Sequence, residues 1–274
     1  MVFALITLNI VNLDLKMTNL ITLAGDGTRF AGKYIFPKPL IFVDGAPMVV
    51  SAVRSLPRAD KYVFVVKDEH CEQYALEGIL RSWFPKSEFI KLHKTTSGQA
   101  ITAKIGIAES SIEPDDDILI SCCDFKVQYD EKYFRLMKKK CDVVVWAALN
   151  NPSFCENPKA HSWLNTEGGK VMSVNVKHDI PDTKDNPGIV GTFYFKRAQM
   201  LLDALERTIL NEDHSNGEYY IDNILNYVPP SLKMRFFEVD QYHCWGTPEE
   251  LKKYENRILG PSRHIDHPTA DNKN

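Results

Sequence analysis

The amino-acid sequence predicts an α/β fold: a mainly parallel sheet covered by helices on both faces. Two observations carry that prediction. Short apolar runs alternate with helix-period segments through the first half of the chain. The runs are nearly continuous, without the in–out alternation of strands that face water on one side, so both of their faces are buried.

In chain order, "NLITLAG" (19–25), "KYVFVVK" (61–67), "DDILISCCD" (116–124) and "DVVVWAAL" (142–149) read as buried strands. Residues 69–84 space their apolar side chains at three and four, and residues 98–111 follow a glycine with helix-compatible residues, so both read as helices. Further on, 188–196 and 233–240 read as strands, and 197–210 and 217–228 as amphipathic helices. Residues 247–259 read as a helix with Pro at its start and Glu in its first turn. Pro and Gly interrupt 150–188, which reads as long loops over the sheet. No repeat and no Pro/Gly-rich linker divides the chain, so 17–260 is expected to form one domain. Residues 1–16, "MVFALITLNIVNLDLK", lack the basic start and small-residue cleavage site of a signal peptide. They read as an extension ahead of Met17, with an extra edge strand as the alternative. The polar residues 261–274 read as a disordered tail.

The 274 residues are 44% hydrophobic and 25% charged, enough to bury a sizeable core without staples. A formal net charge of −3 gives no field that would draw the chain to nucleic acid or anionic lipid. No apolar run is long enough to span a bilayer. Six scattered cysteines in a chain of this size do not make a disulfide framework. Free thiols, a reducing compartment and a cytoplasmic location are expected.

The most informative stretch follows the first strand: Gly25-Asp-Gly-Thr-Arg-Phe-Ala-Gly-Lys33. Gly27 to Lys33 satisfies G-x-x-x-x-G-K, but Tyr34 stands where a Walker A loop needs its magnesium-holding hydroxyl. Gly25 and Gly27 begin a dinucleotide fingerprint, but Phe30 takes the place of its third glycine. Both motifs run straight into a helix, which Pro37 and Pro39 deny. A third pattern fits in full: Leu23-Ala-Gly-Asp-Gly-Thr-Arg29, then Pro37-Lys-Pro-Leu40, then Gly45-Ala-Pro-Met48.

These pieces resemble the sugar-phosphate nucleotidyltransferases, closest to the branch found in bacterial capsule and surface-polysaccharide clusters. "CWGTPEEL" (244–251) is similar to that family's G-T-P-E-[DE]-L ending, and "TTSGQAITA" (95–103) to the segment that frames its base. The resemblance implies a Rossmann-like three-layer α/β/α sandwich with a mainly parallel mixed central sheet. It implies an enzyme that couples a nucleoside triphosphate to a phosphorylated sugar or alcohol with release of pyrophosphate, using Mg2+.

The residue roles that follow are chemically coherent. Leu23, Ala24, Gly25, Gly27, Thr28 and Arg29 would hold the triphosphate. The glycines let backbone N–H groups come close, and Arg29 offers a planar fork to phosphate oxygens. Lys38 would set a charge beside the α-phosphorus. Ser97, Gly98 and Gln99 would face the base, with Ser97 also readable as a helix cap. Asp124, at the carboxyl end of its strand, would hold Mg2+. Arg29, Lys38 and Asp124 form the expected catalytic set. Asp26 fills the variable position of the motif, its carboxylate expected to point away from the phosphates.

Two departures stand out. Where many members carry a second metal-binding aspartate, this chain has Cys244. Either Mg2+ is held by Asp124, phosphate oxygens and waters with no second carboxylate, or a substitute serves, Asp222 first and Asp240 second. In place of the family's Glu-Lys-x-Pro the chain has "NVKHDIP", where Lys177 or His178 would meet the acceptor phosphate unless both are solvated loop charges. Two other functions compete. A GT-A glycosyltransferase would show Asp-x-Asp where "CCDF" has one Asp. A catalytically inactive relative would fit Cys244 but not the retained Arg29, Lys38 and Asp124. The base, the acceptor and any homo-oligomer stay open.

Overall fold

The computed structural model describes residues 17–176, 186–259 and 267. The expectations for the extension 1–16, for Lys177 and His178, and for the tail 261–274 apart from His267 fall outside that set.

The apolar runs form one mixed sheet. β1 (Thr18–Leu23) pairs in parallel with β4 (Lys61–Lys67) on one side and β6 (Ile118–Ser121) on the other, and β5 (Ser87–Leu92) extends this half beyond β4. Past β6 lie β11 (Gly188–Phe195), β8 (Val143–Ala148), β12 (Met234–Glu238), β10 (Lys170–Val176) and β9 (Ser162–Glu167). β10 and β11 run against the other strands. A short hairpin, β2 (Phe42–Val43) with β3 (Ala46–Pro47), leads into α1 (Met48–Arg54).

Double burial explains the continuous runs. Successive side chains of a strand point to opposite faces. Ile21, Leu23, Phe64 and Val66 enter one apolar core, together with Val49, Val50 and Val53 of α1. Leu20, Val63 and Val65 enter the other, under α4 (Gln99–Glu109) and α7 (Ala198–Leu210). No helix among the described residues is long and apolar enough to cross a membrane.

Several elements differ from expectation. The segment 69–84 is two helices, α2 (Asp68–Tyr74) and α3 (Leu76–Trp83), parted by Ala75 at φ 54°. Residues 150–188 carry α6 (Pro152–Glu156) and the β9–β10 hairpin in place of long loops over the sheet. Trp163 and Leu164 of that hairpin are buried in the core, which anchors it. Residues 217–228 hold only α8 (Ile221–Ile224) and one 3-10 turn. The backbone ahead of them is committed elsewhere: Tyr219 N–H donates to the Ser97 carbonyl (2.8 Å), and the Tyr219 carbonyl accepts from Ala100 N–H (3.0 Å). Other elements were not expected, among them the β2–β3 hairpin, α1, β5, β7 (Phe125–Gln128) and α5 (Glu131–Lys140), which Asp130 caps by accepting from Lys132 and Tyr133 N–H. β7 pairs antiparallel with β13 (Gln241–Cys244), and α9 (Pro248–Leu259) closes the described chain.

Packing is tight where α4 crosses the sheet. A Cβ on Gly106 would meet Val65 Cγ2 at 2.6 Å and Leu20 Cδ1 at 2.8 Å. Gly106→Val should therefore lower stability by about 1–3 kcal/mol through overpacking, although it removes a helix glycine. Urea unfolding checks this, and a midpoint at or above that of the wild type would contradict the packing.

Candidate active site

The site forms at the carboxyl ends of the parallel strands β1, β4 and β6, where such sheets bind ligands. After β1 the chain turns sharply. Phe30 N–H donates to the Gly27 carbonyl (2.8 Å) and Lys33 N–H to that of Phe30 (3.1 Å), so residues 27–33 are consecutive turns and no helix follows. Phe30 is 2% exposed and packs in a small core with Ile41, Val43, Trp245 and Leu251. That contact ties the loop to the distant G-T-P segment.

Lys38 opens a 3-10 turn, Lys38–Leu40, with Pro37 fixing its entry. Its stem lies against the Gly25–Thr28 loop. Gly27 has φ 60°, and a Cβ there would stand 3.4 Å from Lys38 Cβ. Lys38 Nζ donates to Asp124 Oδ2 at 2.7 Å. The Cys122 thiol donates to the other carboxylate oxygen, Oδ1, at 2.9 Å. Trp245 N–H donates to the Asp124 carbonyl at 2.6 Å, holding the residue at the mouth of the β7–β13 ribbon.

Electrostatics keep this pair ionised. Burial by itself would raise the Asp124 pKa, but the Lys38 charge and the two hydrogen bonds outweigh it and hold the carboxyl below its usual value. Burial would lower Lys38, and the Asp124 charge overcomes that and raises it. Burial raises all three nearby thiols: Cys122 well above its usual value, Cys123 and Cys244 each to about 12. They are neutral groups at physiological pH, not thiolate nucleophiles.

One cavity of about 420 Å3 gathers most of the expected residues. Ala24, Gly25, Gly27, Thr28, Gly98 and Gln99 line it, and so does Asp124. Leu23 is buried in β1, Arg29 is exposed beside the loop, and Ser97 is exposed. Ser97 is not the helix cap. Gly98 is, at φ 111°, and the Thr96 hydroxyl donates to its carbonyl at 2.9 Å. A Cβ on Gly98 would lie 2.5 Å from the Tyr219 carbonyl oxygen, so only glycine lets these two backbones meet. Gln99 Nε2 donates to Thr22 Oγ1 at 3.1 Å.

Thr95, whose hydroxyl the sequence offered for a base edge, also lines it, together with residues that the sequence did not single out: Thr22, Thr96, Glu218 and Tyr220. Tyr220 donates to the Glu218 carboxylate. The available signal was "GEYY", a Gly-led polar segment that the helical pattern of 217–228 obscured.

The two acids expected to replace the missing aspartate each make a hydrogen bond of their own. Asp222 accepts from the Ser162 hydroxyl at 2.6 Å. Asp240 is exposed, and its N–H donates to the Gln128 carbonyl at 2.8 Å. Glu250 is the acid that comes near Asp124. The Cβ position of Gly246 is 3.3 Å from Glu250 Oε2, 3.3 Å from Cys244 Sγ and 3.7 Å from Asp124 Oδ2. Thr247 fixes Glu250 by donating to its carboxylate (3.0 Å) and accepting from its N–H (3.1 Å), a side-chain cap with Pro248 in the first helical position. Among the described residues, no three His, Cys, Asp or Glu side chains are arranged to hold a metal ion.

No family model and no curated protein matches the chain. Solved structures do. A nucleoside-diphosphate-sugar pyrophosphorylase from Vibrio cholerae RC9 matches with a TM-score of 0.71 and 19% identity, over 86% of this chain and 98% of that one. A UDP-glucose pyrophosphorylase complexed with UDP-glucose matches at 0.68 and 18%, over 89% and 98%. The inositol-1-phosphate CTP transferase from T. maritima matches at 0.62 and 14%, over 88% and 94%. At these identities the likeness is one of fold. The chain has the fold of nucleotide-sugar pyrophosphorylases and sugar-phosphate nucleotidyltransferases.

Proposed function

We propose that this protein is a nucleotidyltransferase, built as a Rossmann-like three-layer α/β/α sandwich, that joins a nucleoside triphosphate to a phosphorylated sugar or alcohol and releases pyrophosphate. The observation that carries this reading is the Lys38–Asp124 pair, 2.7 Å apart, beside the cavity that the Gly25–Thr28 loop lines. The names of the structures with this fold support the substrate class, since UDP-glucose and inositol 1-phosphate are a nucleotide sugar and a phosphorylated polyol. The motif resemblance supports a product destined for surface polysaccharide, and the free cysteines support action in a reducing cytoplasm.

In this mechanism the loop's backbone N–H groups and Arg29 hold the triphosphate. An oxygen of the acceptor's phosphate attacks the α-phosphorus. A new phosphorus–oxygen bond forms, the bond from the α-phosphorus to the oxygen that bridges it to the β-phosphorus breaks, and pyrophosphate leaves with that electron pair. No covalent enzyme intermediate is needed, so positioning and charge stabilisation supply the rate. Lys38 meets the charge that builds on the α-phosphoryl oxygens. Asp124 is the carboxylate that would hold Mg2+, which neutralises phosphate charge when bound. Its hard carboxylate oxygens suit an ion that keeps several waters, once Lys38 has given up Oδ2. The hydrogen bond of Asp222 to Ser162 supports a structural place for that residue beside Tyr220. Lys177 or His178 takes the acceptor phosphate in this reading.

The test is pyrophosphate release over a matrix of triphosphates and phosphorylated acceptors. Lys38→Ala should cut turnover about 100- to 1000-fold, the usual loss for one preorganised group at a transition state. Turnover within a few-fold of wild type would remove Lys38 from the chemistry. Activity should vanish in chelator, and Asp124→Asn, which keeps the shape and loses the charge, should stay inactive at ordinary Mg2+. Full activity in either case would contradict the metal assignment. Arg29→Lys should weaken triphosphate binding, read by calorimetry, because a point charge cannot reproduce a bidentate fork. Equal affinities would contradict it.

A further inference from the structure

Asp26, at the variable position of the phosphate loop, makes a contact that the proposed chemistry does not use. Its Oδ1 accepts from Lys67 Nζ at 2.8 Å and from Thr95 Oγ1 at 2.5 Å. Lys67 is the last residue of β4, its side chain is only 12% exposed, and its Nζ also pairs with Glu69 at 2.9 Å. Thr95 belongs to the loop between β5 and α4. One carboxylate oxygen therefore joins three segments that are remote in sequence. Gly25 and Gly27 have no side chains, so Asp26 is the anchor available between them.

The same β5–α4 loop is fastened at its other end. Tyr219 N–H donates to the Ser97 carbonyl and Ala100 N–H to the Tyr219 carbonyl. Asp26, Thr95, Glu218 and Tyr220 all line the cavity. The wall is thus continuous from the phosphate loop, through Thr95, to the 217–220 segment. Around the contact the ionisable neighbours are Lys67, Glu69 and the buried His70, whose Nε2 is 3.7 Å from Glu69. The hydrogen bonds from Lys67 and Thr95 hold the Asp26 carboxyl below its usual pKa.

We infer that Asp26 is a positioning residue. It latches the phosphate loop to the β5–α4 loop through Lys67 and Thr95, and so sets the triphosphate-facing and base-facing walls of the cavity in register before a nucleotide enters. A wall ordered in advance does not have to be ordered by the ligand, and the gain appears as affinity. The latch has a signature that charge alone cannot imitate. Asp26 is an anion facing a site for a polyanion. On Coulomb grounds its removal would tighten triphosphate binding. If it is a latch, removal weakens binding.

Two measurements decide. The first follows amide hydrogen exchange in the ligand-free wild type and in Asp26→Ala, Asp26→Asn and Lys67→Met. Faster exchange in both 24–30 and 92–98 is expected for Asp26→Ala and Lys67→Met, with Asp26→Asn between them because it keeps an acceptor oxygen. Unchanged exchange, or a change confined to one of the two loops, overturns the latch. This arm needs no turnover, so it stands apart from the proposed reaction. The second arm rests on that reaction. The triphosphate KM should rise about ten-fold in Asp26→Ala, the scale of one lost charge-assisted contact, with a smaller change in kcat. A lower KM, or an equal loss in kcat alone, overturns it. A wild-type chain that turns over no triphosphate fails the functional reading and leaves the exchange arm to decide the latch.

Discussion

The ion pair between Lys38 and Asp124 is the constraint around which the candidate site is arranged. The two residues are 86 positions apart, and their side chains are only 15% and 29% exposed. Leaving one such charge without its partner costs roughly 3–5 kcal/mol when the pair is buried, so the fold must deliver both together. Pro37 and the 3-10 turn aim Lys38, Gly27 makes room for its stem, and Trp245 N–H holds the backbone of Asp124. Cys122 occupies the remaining carboxylate oxygen. In the ligand-free protein the cation and the anion satisfy each other. In the proposed reaction Lys38 would turn to the α-phosphoryl oxygens, which leaves the Asp124 carboxylate able to hold Mg2+.

The edge of the sheet supplies the rest. β1 leads into the Gly25–Thr28 loop, β4 ends in Lys67, and β6 ends just before Asp124. Because these strands are parallel neighbours, their carboxyl ends bring three sequence-distant segments side by side without any long connection. The β7–β13 ribbon then folds the G-T-P segment back onto the same edge, where Thr247 pins Glu250 near Cys244 and Asp124. The thiol at 244 is neutral, so the charge on this side of the site comes from Glu250 rather than from the residue that the sequence pattern emphasised.

Legibility in the sequence followed the range of the interactions. The central strands were legible because both faces are buried and the apolar runs say so. That the Gly25–Thr28 loop, Lys38 and Asp124 would come together was legible because the motifs that flag them lie within a few residues. What was hidden depends on partners far away. Residues 217–228 have a helical pattern, but Tyr219 is claimed by Ser97 and Ala100, and the helix shrinks to Ile221–Ile224. The β9–β10 hairpin was obscured by Gly168 and Gly169, which form its turn rather than a loop over the sheet. Glu218, Tyr220 and Glu250 reach the site by tertiary contact alone. The bond from Ser162 to the Asp222 carboxylate spans 60 residues and was equally hidden.

If Lys38 holds the place that a cation takes in the working site, then a neutral residue at 38 should make the empty protein a better cation binder. The direct measurement is a titration of nucleotide-free wild type and Lys38→Met with Mn2+, a hard ion that accepts the same oxygen donors, followed by electron paramagnetic resonance of the free ion. The account predicts several-fold tighter Mn2+ binding by Lys38→Met, abolished when Asp124→Asn is added. Equal or weaker binding by Lys38→Met would show that Asp124 is not the carboxylate that the metal and the lysine share.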